Sequence, residues 1–454
     1  MDGRHPDRDL LQQFLAGSLP ERESQALERH LFVCPACEER LVSLLPDSVP
    51  SLSSGGRGQR GLLQRLLDPS RAELEGYRSR LARERDSAAR LWREVEPLDQ
   101  EARRSRVWEE TRFHTWGFFE HLIDRAYERV ADDARRAEDI LRLALDVAEQ
   151  LGPEEQGPGA AEAAKSRAWT WLGNALRVLG DFRQAEVAFQ TAELYFFRSW
   201  LDPLDEALLL ESKAPLRRAQ GRFEEAVDLL DAAIAIYREV NEPHLQGRAL
   251  AIKGLSLRYK GDLKGAADCF RTSLFLLDGL REPRLLVAGQ FNLILCLHDS
   301  GRSADAAQLI PEARRLMEQA GARSDLLRLR WTEGVVAAAL GRLGEAEEAY
   351  LETREAFLES GMAFDSALVS LDLAALYLQQ GRAAETRQIA QEMIPVFQSR
   401  DVYREALAAL IAFQSAAEME ELTLGLVHEI TAYLQRARNN PHLRFREADG
   451  SEFA

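Results

Sequence analysis

Two cysteines and a histidine close to the amino terminus carry the clearest chemistry in this sequence. His30, Cys34 and Cys37 form an HxxxCxxC cluster. Residues four apart share a face of a helix, and cysteines separated by two residues in a tight turn bring their thiolates to one point. Three metal ligands can therefore converge without long loops. Tetrahedral zinc requires a fourth ligand, and His5, which precedes the first predicted helix, is the best candidate.

The cluster favours a structural zinc ion over a metal-free redox pair of Cys34 and Cys37, or over cysteines of no special role. A catalytic zinc would need an open coordination position and a nearby general base. The sequence contains no HExxH or similar motif that would supply them. A unit of about 45 residues has a small core, so the metal would be needed to keep it folded.

The first part of the chain, roughly 45 residues long, resembles the zinc-binding domain of bacterial anti-sigma factors. It shares with that family an upstream histidine, a first helix and turn reading LLQQFLAGSL, and the ending HLFVCPAC. The ligands that the resemblance implies are His5, His30, Cys34 and Cys37, with Asp7 and Asp9 as alternatives to His5. In that family the domain binds a sigma factor and keeps it from RNA polymerase. The resemblance therefore implies zinc as a cofactor and a sigma factor as a possible partner.

Beyond this segment, six glycines open the same short phrase, spaced 41 residues apart once and 40 residues apart thereafter. They are Gly180, Gly221, Gly261, Gly301, Gly341 and Gly381. A small residue stands seven positions before five of them, and an alanine stands five positions after five of them. The glycine suits the end of a first helix, and the small residues allow a second helix to approach closely. The period predicts a helical hairpin repeated in tandem.

This pattern resembles the tetratricopeptide repeat, in which small, glycine, alanine and aromatic positions follow in the same order and spacing. The unit here is longer than the usual length of about 34 residues, which suggests lengthened helices or turns. The predicted fold class is all-α: an α-solenoid of roughly eight tetratricopeptide-like hairpins, preceded by a small helical zinc-binding domain.

Composition changes along the chain divide it into five predicted segments. They are a zinc-binding domain (1–45), a flexible Ser/Gly/Pro-rich linker (46–61), a charged helical segment (62–112), the repeat solenoid (113–440) and a polar tail (441–454). The charged segment is expected to be a solvated hairpin that caps the array. Alternatively, its Trp92 and Trp108 dock the zinc domain or a partner.

The composition also limits the function. The net charge of -16 argues against general nucleic-acid binding, and neither a long apolar run nor a secretion signal is present. We therefore expect a cytoplasmic protein without membrane or nucleic-acid partners. No GxxxxGK loop or GxSxG elbow occurs, so we do not expect an enzyme. Cys269 and Cys296 fall on core-facing helix positions and are expected to be buried apolar groups.

A binding surface is expected on the first helix of each hairpin, which lines the concave groove in tetratricopeptide arrays. Arg177, Arg218 and Arg258 hold the same position in three successive units, where they could seat a carboxylate-rich or C-terminal peptide. Alternatively, these arginines extend over helix surfaces and pair with local acids such as Glu211. The full predicted set is Arg167, Asn174, Arg177, Arg218, Arg248, Arg258, Phe291 and Trp331.

The sequence thus predicts a protein-binding regulatory adaptor, in which the zinc domain binds one protein, for which the resemblance implies a sigma factor, and the solenoid binds a second protein or peptide. Two alternatives remain open. One is a scaffold subunit of a signalling or protease complex. The other is a thiol sensor in which oxidation of Cys34 and Cys37 releases zinc.

Overall fold

The computed structural model describes the backbone of residues 58–152, 159–199, 201–398 and 422–437, with single positions elsewhere. Side chains are described from residue 75 to residue 393 within these ranges, and over 422–435. The chain divides into two compact units, Met1–Asp86 and Ser87–Ala454. The described residues contain 17 α-helices and one short 3-10 helix, and no strand.

Before residue 58, the first unit is described at a few single positions, and most of these are helical. Leu10, Leu11 and Gln13 lie in a helix, as do Leu27 and Cys37. The side chains of Leu11, Leu27 and Cys37 are fully buried. The start of helix α1 (Gly58–Val95) also belongs to this unit.

The second unit begins with the end of α1, at Ser87, followed by α2 (Gln100–Glu109) and a 3-10 helix (Thr111–Phe113), and continues as a series of helical hairpins. These are α3 (Trp116–Arg129) with α4 (Ala134–Gln150), α5 (Ala160–Val178) with α6 (Phe182–Phe196), α7 (Pro203–Ala219) with α8 (Phe223–Glu239), α9 (Pro243–Lys260) with α10 (Leu263–Leu276), α11 (Pro283–Asp299) with α12 (Ser303–Ala320), α13 (Arg323–Ala339) with α14 (Leu343–Glu359), and α15 (Ala363–Gln379) with α16 (Ala383–Gln398). Of the predicted terminal hairpin the structure describes α17 (Leu424–Ala437) and single helical positions before it.

The 40-residue period follows from the length of the helices. In the hairpins of α7 and α8, and of α13 and α14, each helix has 17 residues and each turn has three. Gly261 shows why a glycine ends the first helix, since its φ of +95° lies in the left-handed region that residues with a side chain disfavour.

Small residues and aromatic rings meet between the two helices of a hairpin. A Cβ atom added to Gly254 would lie 3.0 Å from the ring of Phe270, and one added to Gly173 would lie 3.0 Å from the ring of Phe189. Both rings are fully buried. Each aromatic side chain therefore occupies the space that the small residue leaves open, which allows the two helices to pack closely.

The first helices form the inner side of the array. The first helix of each hairpin packs against the first helix of the next, from α3 through α15. Among the described residues, the second helices of successive hairpins have at most marginal contact with each other. The first helices are therefore closer together, and the second unit curves around them.

Ion pairs at one repeated position link successive first helices. Arg167 of α5 donates to Asp205 of α7 at 2.7 Å, and Arg328 of α13 lies 3.7 Å from Asp365 of α15. Both carboxylates are buried. The two arginines stand 13 residues before the turn glycines Gly180 and Gly341, so the same contact recurs at one register of the repeat.

The curvature also brings distant hairpins together. The hydroxyl of Tyr127, in α3, donates a hydrogen bond of 3.1 Å to Glu282, the residue that precedes α11. These residues are 155 positions apart. Burial, reinforced by the Glu282 carboxylate, raises the pKa of Tyr127 to about 12. The ring of Tyr127 also packs edge-on against Trp171 of α5, with ring centroids 5.0 Å apart.

A buried arginine fixes the chain between α1 and α2. The guanidinium of Arg103 donates to the backbone carbonyls of Val95, Glu96 and Leu98 at 3.0, 2.9 and 2.7 Å. It also lies over the ring of Trp92, 5.6 Å from the ring centroid. Since three carbonyls at and just beyond the end of α1 are satisfied by one side chain, the turn into α2 is well defined.

Within the part of the chain that the structure describes, no helix is long and apolar enough to cross a membrane.

Candidate binding surface and metal site

A stripe of half-buried residues follows the inner side of each first helix. On α5 the stripe consists of Arg167, Trp171, Asn174 and Arg177, which are spaced by three or four residues and so share one face. Equivalent stripes occur on α7, α9, α11 and α13. The predicted binding residues that these stripes hold are Arg167, Asn174, Arg177, Arg218, Arg248, Arg258, Phe291 and Trp331.

Two of these arginines are engaged by carboxylates within the array. Arg167 is paired with Asp205, and Arg248 donates to both oxygens of Glu211 at 2.6 and 2.9 Å. A second carboxylate, Glu282, lies 3.6 Å from Arg248. Burial alone would lower the pKa of Arg248, but the Glu211 carboxylate holds it well above its ordinary value. This is the local pairing that the alternative interpretation expected, at these two positions.

Two other arginines have no carboxylate beside them among the described residues. Arg177 donates from Nε and Nη2 to the neutral Asn174 Oδ1, at 3.1 and 2.8 Å. Burial, and then the charge of Arg218, lower the pKa of Arg177 to about 10. Burial also lowers the pKa of Arg218. The Arg218 guanidinium lies 5.9 Å from the ring centroid of Tyr259, and its Nη1 atom is shielded from solvent without a hydrogen-bond partner in the described structure.

The third arginine of the row is intermediate. The Nη2 atom of Arg258 donates to Asp299 at 3.1 Å, whereas its Nε atom is shielded and lacks a partner among the described residues. In the row of Arg177, Arg218 and Arg258, the charge of the last arginine is therefore partly balanced by Asp299, whereas the first two have no such partner among the described residues. Within the described part of the chain, the Arg177 and Arg218 pair has no countercharge of its own.

Farther along the array, the inner stripe holds large apolar residues beside polar ones such as Arg328 and Asp372. Phe291 and Trp331 pack partly buried against the core. The indole Nε1 of Trp331 donates to Oδ2 of Asp372, in α15, at 2.7 Å. Burial raises the pKa of Asp372 to about 6. Asp372 is a residue that the sequence analysis missed, since nothing in a repeat pattern marks an isolated aspartate as facing Trp331.

The two tryptophans of the charged segment have different surroundings. Trp92 is buried, with 3% of its surface exposed, whereas Trp108 is 49% exposed. Trp108 borders a shallow cleft of about 630 Å³ between α2 and α4, together with Arg104 and Asp146. Arg104 and Asp146 form a two-point ion pair at 2.5 and 2.7 Å. This ion pair ties α2 to α4, the second helix of the first hairpin.

Of the predicted zinc ligands, Cys37 is described, and it is helical and fully buried. His5, His30 and Cys34 lie outside the described residues, as do Asp7 and Asp9. No group of three or more potential metal ligands occurs among the residues that are described. The donor set of two thiolates and two imidazoles is one that tetrahedral zinc prefers, and the burial of Cys37 fits a closed structural site.

The two remaining cysteines belong to the repeat core. Cys296 is fully buried, and burial raises its pKa to about 11. Burial likewise raises the pKa of Cys269, which packs against the same cluster. Both thiols are therefore protonated at neutral pH, and Cys296 is buried as expected, whereas Cys269 is only half-buried.

Comparison with known proteins agrees with both parts of this description. Residues 7–37 match a family model described as "Putative zinc-finger". No curated protein sequence matches the chain. Among solved structures, a signal transduction ATPase with numerous domains and a tetratricopeptide repeat sensor, from Pyrococcus horikoshii, is 16% identical, with a TM-score of 0.53. The match covers 79% of this chain and 54% of that protein, so the chain spans about half of its length.

Other similar structures include aspartyl phosphate phosphatase F from Bacillus subtilis, at 13% identity, covering 75% of this chain and 97% of that one with a TM-score of 0.46. The apo form of RapI is 17% identical over 60% of this chain and 97% of its own, with a TM-score of 0.46. At these identities the likeness concerns the fold alone. The predicted all-α, tetratricopeptide-like solenoid with a zinc-finger-like amino terminus is confirmed.

Proposed function

We propose that this chain is a two-part protein-binding adaptor without catalytic activity of its own. The first unit, held together by zinc, binds one protein. The inner side of the second unit binds an extended segment of another protein, with the carboxylate of that segment between Arg177 and Arg218. The observation that carries the second half of this proposal is the missing countercharge of these two arginines among the described residues.

An uncompensated pair of partly buried cations is costly, because desolvation and mutual repulsion both disfavour it. Arg177 and Arg218 remain in this situation although the chain carries a net charge of -16 and other inner arginines have acidic partners. A carboxylate from a ligand would accept charge-assisted hydrogen bonds, and the shielded Nη1 of Arg218 has a donor capacity that no described group uses. The negative end of the helix dipole offers each arginine weaker compensation.

For the first unit, we propose a structural zinc ion held by His5, His30, Cys34 and Cys37, and a sigma factor as the candidate partner. The match of residues 7–37 to a zinc-finger family supports the metal. The resemblance of the segment to anti-sigma factors supports the partner. Zinc bound there would supply folding energy to a unit with a small core and would not take part in a reaction. Burial of Cys37 speaks against the thiol sensor, which needs an accessible thiolate.

The peptide-binding half is tested by selection from a display library of random linear peptides on the full chain. We expect the wild-type protein to enrich acidic residues or a free C-terminus, and the R177Q/R218Q variant to lose that enrichment. The matched control is R222Q/R302Q, which removes two exposed turn arginines that pair locally with Glu225 and Asp305. Acid enrichment that survives in R177Q/R218Q, or that disappears equally in the control, would overturn this assignment.

The zinc half is tested separately by native mass spectrometry and by pull-down with purified sigma factors. One zinc ion per chain is expected, and the C34S/C37S variant should lose it. Sigma-factor binding should disappear in the same variant and persist in R177Q/R218Q. A zinc-loaded chain that binds no sigma factor would leave a scaffold role for the first unit and would refute the anti-sigma proposal.

A further inference from the structure

Among the described residues, the inner surface carries a second charge without a counterion, of the opposite sign to the first. Asp372 lies on α15, a first helix, and is one of the few residues of that helix that keep partial exposure. Its hydrogen-bond donor is the indole Nε1 of Trp331 at 2.7 Å. No lysine, arginine or histidine of the described residues lies within ion-pairing distance of this carboxylate.

The contrast with a nearby aspartate shows that this situation is specific. Asp365 lies seven residues earlier on the same helix, is more deeply buried, and has Arg328 at 3.7 Å. Asp372 has a neutral donor instead, and burial raises its pKa to about 6. Of these two acids on one helix, Asp365 has a cationic partner among the described residues and Asp372 does not.

An aromatic side chain lies beside this acid. Trp331 is half-buried, and its ring is held edge-on by Phe357 with ring centroids 6.2 Å apart. The position of the ring is therefore fixed by its contact with Phe357 and by its hydrogen bond to Asp372. A carboxylate next to an immobilised indole is suited to a cationic side chain, which gains both an ion pair and contact with the aromatic face.

We propose that Asp372 and Trp331 form a subsite that receives a lysine or arginine side chain of the bound peptide. This inference rests on the proposed function, because it concerns the same inner surface. Arg177 and Arg218 lie on α5 and α7, whereas Trp331 and Asp372 lie on α13 and α15. Opposite charges on separate hairpins fix the direction of the peptide, with its carboxylate towards the early hairpins and its basic residue towards the late ones.

The subsite is tested directly by NMR of the tryptophan indole groups, using n-butylguanidinium chloride as the probe. The Trp331 signal is assigned as the one lost in W331F. We expect n-butylguanidinium to shift this signal in the wild-type chain and not in D372N, with sodium chloride at equal ionic strength as the control. In D372N the side-chain oxygen can still accept the indole hydrogen bond, so the fold of the site is retained. An unchanged signal in the wild type, or an equal shift in D372N, would mean that the contact only ties α13 to α15.

Peptide selection then separates this inference from the proposed function. From a library of random linear peptides, D372N should lose enrichment of a basic residue while keeping enrichment of acids. R177Q/R218Q should show the reverse, and E355Q, which removes an exposed acid from the second helix α14, should behave as the wild type. If the wild-type chain selects acidic peptides, but enrichment of a basic residue is absent or is unchanged in D372N, the subsite is refuted and the proposed function is not. Selection of no peptide would overturn the proposed function, and the NMR titration would still decide the subsite.

Discussion

At the scale of single residues, two adjacent arginines of α7 show how differently the array treats the same side chain. Arg217 donates from Nη2 to Glu186 at 2.9 Å, and this hydrogen bond raises its pKa. Arg218, the next residue, has no carboxylate beside it in the described structure, and burial lowers its pKa. Arg217 therefore stabilises the fold, whereas Arg218 holds its charge at a cost that a ligand would offset.

Methionine substitutions should separate these two roles. R217M leaves Glu186 without its partner and should destabilise the chain by about 3 kcal/mol, as breaking a buried ion pair does. R218M removes an unpaired charge and should change stability by less than about 1 kcal/mol, or increase it. The urea midpoint, followed by circular dichroism of the helices, measures both. A loss for R218M as large as that for R217M would mean that Arg218 has a structural partner.

Asp372 should make stability depend on pH in a way that reveals its environment. Its pKa in the folded chain is about 6, above the value of about 3.9 for an unperturbed aspartate. The folded state therefore holds the proton more tightly, and the stability present at low pH is lost as the pH rises through 6.

D372N should consequently be more stable than the wild type at pH 7.5, by up to about 3 kcal/mol. The difference should shrink below pH 6 and vanish below about pH 4, where Asp372 is neutral in both states. Paired thermal melts across this pH range provide the measurement. A difference that does not change with pH would contradict the raised pKa.

Residue-level expectations from the sequence were right about position and offered pairing with local acids only as an alternative. The repeat register placed Arg177, Arg218 and Arg258 on one row, because spacing from the turn glycine determines which face of the helix a residue occupies. It did not show which arginine pairs with Glu211, since the contact with Arg248 joins different hairpins whose relative twist no register encodes. The binding roles of these residues stay predictions.

At the scale of helices and turns, the glycine that ends each first helix is required by backbone geometry and not by space. Gly341 has a φ of +75°, and a Cβ atom there would meet nothing within 4 Å. Gly344, three residues later and within α14, has ordinary helical geometry and equally open surroundings. Because neither site would clash with a side chain, comparing Gly341 with Gly344 measures the free-energy cost of the left-handed backbone conformation alone.

Alanine at these two sites should have opposite effects. G341A forces a residue with a side chain into the left-handed region and should cost about 1 kcal/mol or more. G344A replaces a poor helix former in a helix and should stabilise the chain by up to about 1 kcal/mol. Urea unfolding of the two variants beside the wild type is the check. Equal effects of the two substitutions would show that the φ at Gly341 carries no strain for alanine.

The helices and turns were the most predictable level of this structure. Pro203, Pro243 and Pro283 begin α7, α9 and α11, where a proline without an N–H group is tolerated. The expected lengthening relative to shorter repeats lies in helices of 17 residues. Exact partners of helix ends, such as the three carbonyls bound by Arg103, were not predictable, because a charged residue in a helical segment reads as solvated.

At the scale of the whole molecule, the two units are expected to respond differently to loss of metal. A chelator, or the C34S/C37S substitution, should increase hydrogen exchange throughout residues 1–45 and leave exchange in α3 to α15 unchanged. The reason is that the predicted ligands all lie in the first unit, whereas the second unit has its own apolar core. Hydrogen exchange with mass spectrometry resolves the two regions. Equal deprotection of the repeats would show that the second unit depends on the metal.

The all-α solenoid could be predicted because its evidence is repeated six times along the chain. The amino-terminal likeness to a zinc-finger family could be predicted because the residues that carry it stand close together in sequence. The contact between Tyr127 and Glu282 could not be, since it depends on how far each hairpin rotates relative to the one before it, summed over four hairpins. The five-segment division of the chain stays a prediction, beside the two units that the structure shows.

That single hydrogen bond also bears on how such a chain evolves. An open row of repeats tolerates gain or loss of a whole module, since each one touches only its immediate neighbours. Here a tyrosine on one module reaches a glutamate several modules later, so removing residues 203–242 would carry the acceptor out of reach. The contact between Tyr127 and Glu282 therefore requires the present number of modules between them, and gain or loss of a module in that stretch would break it.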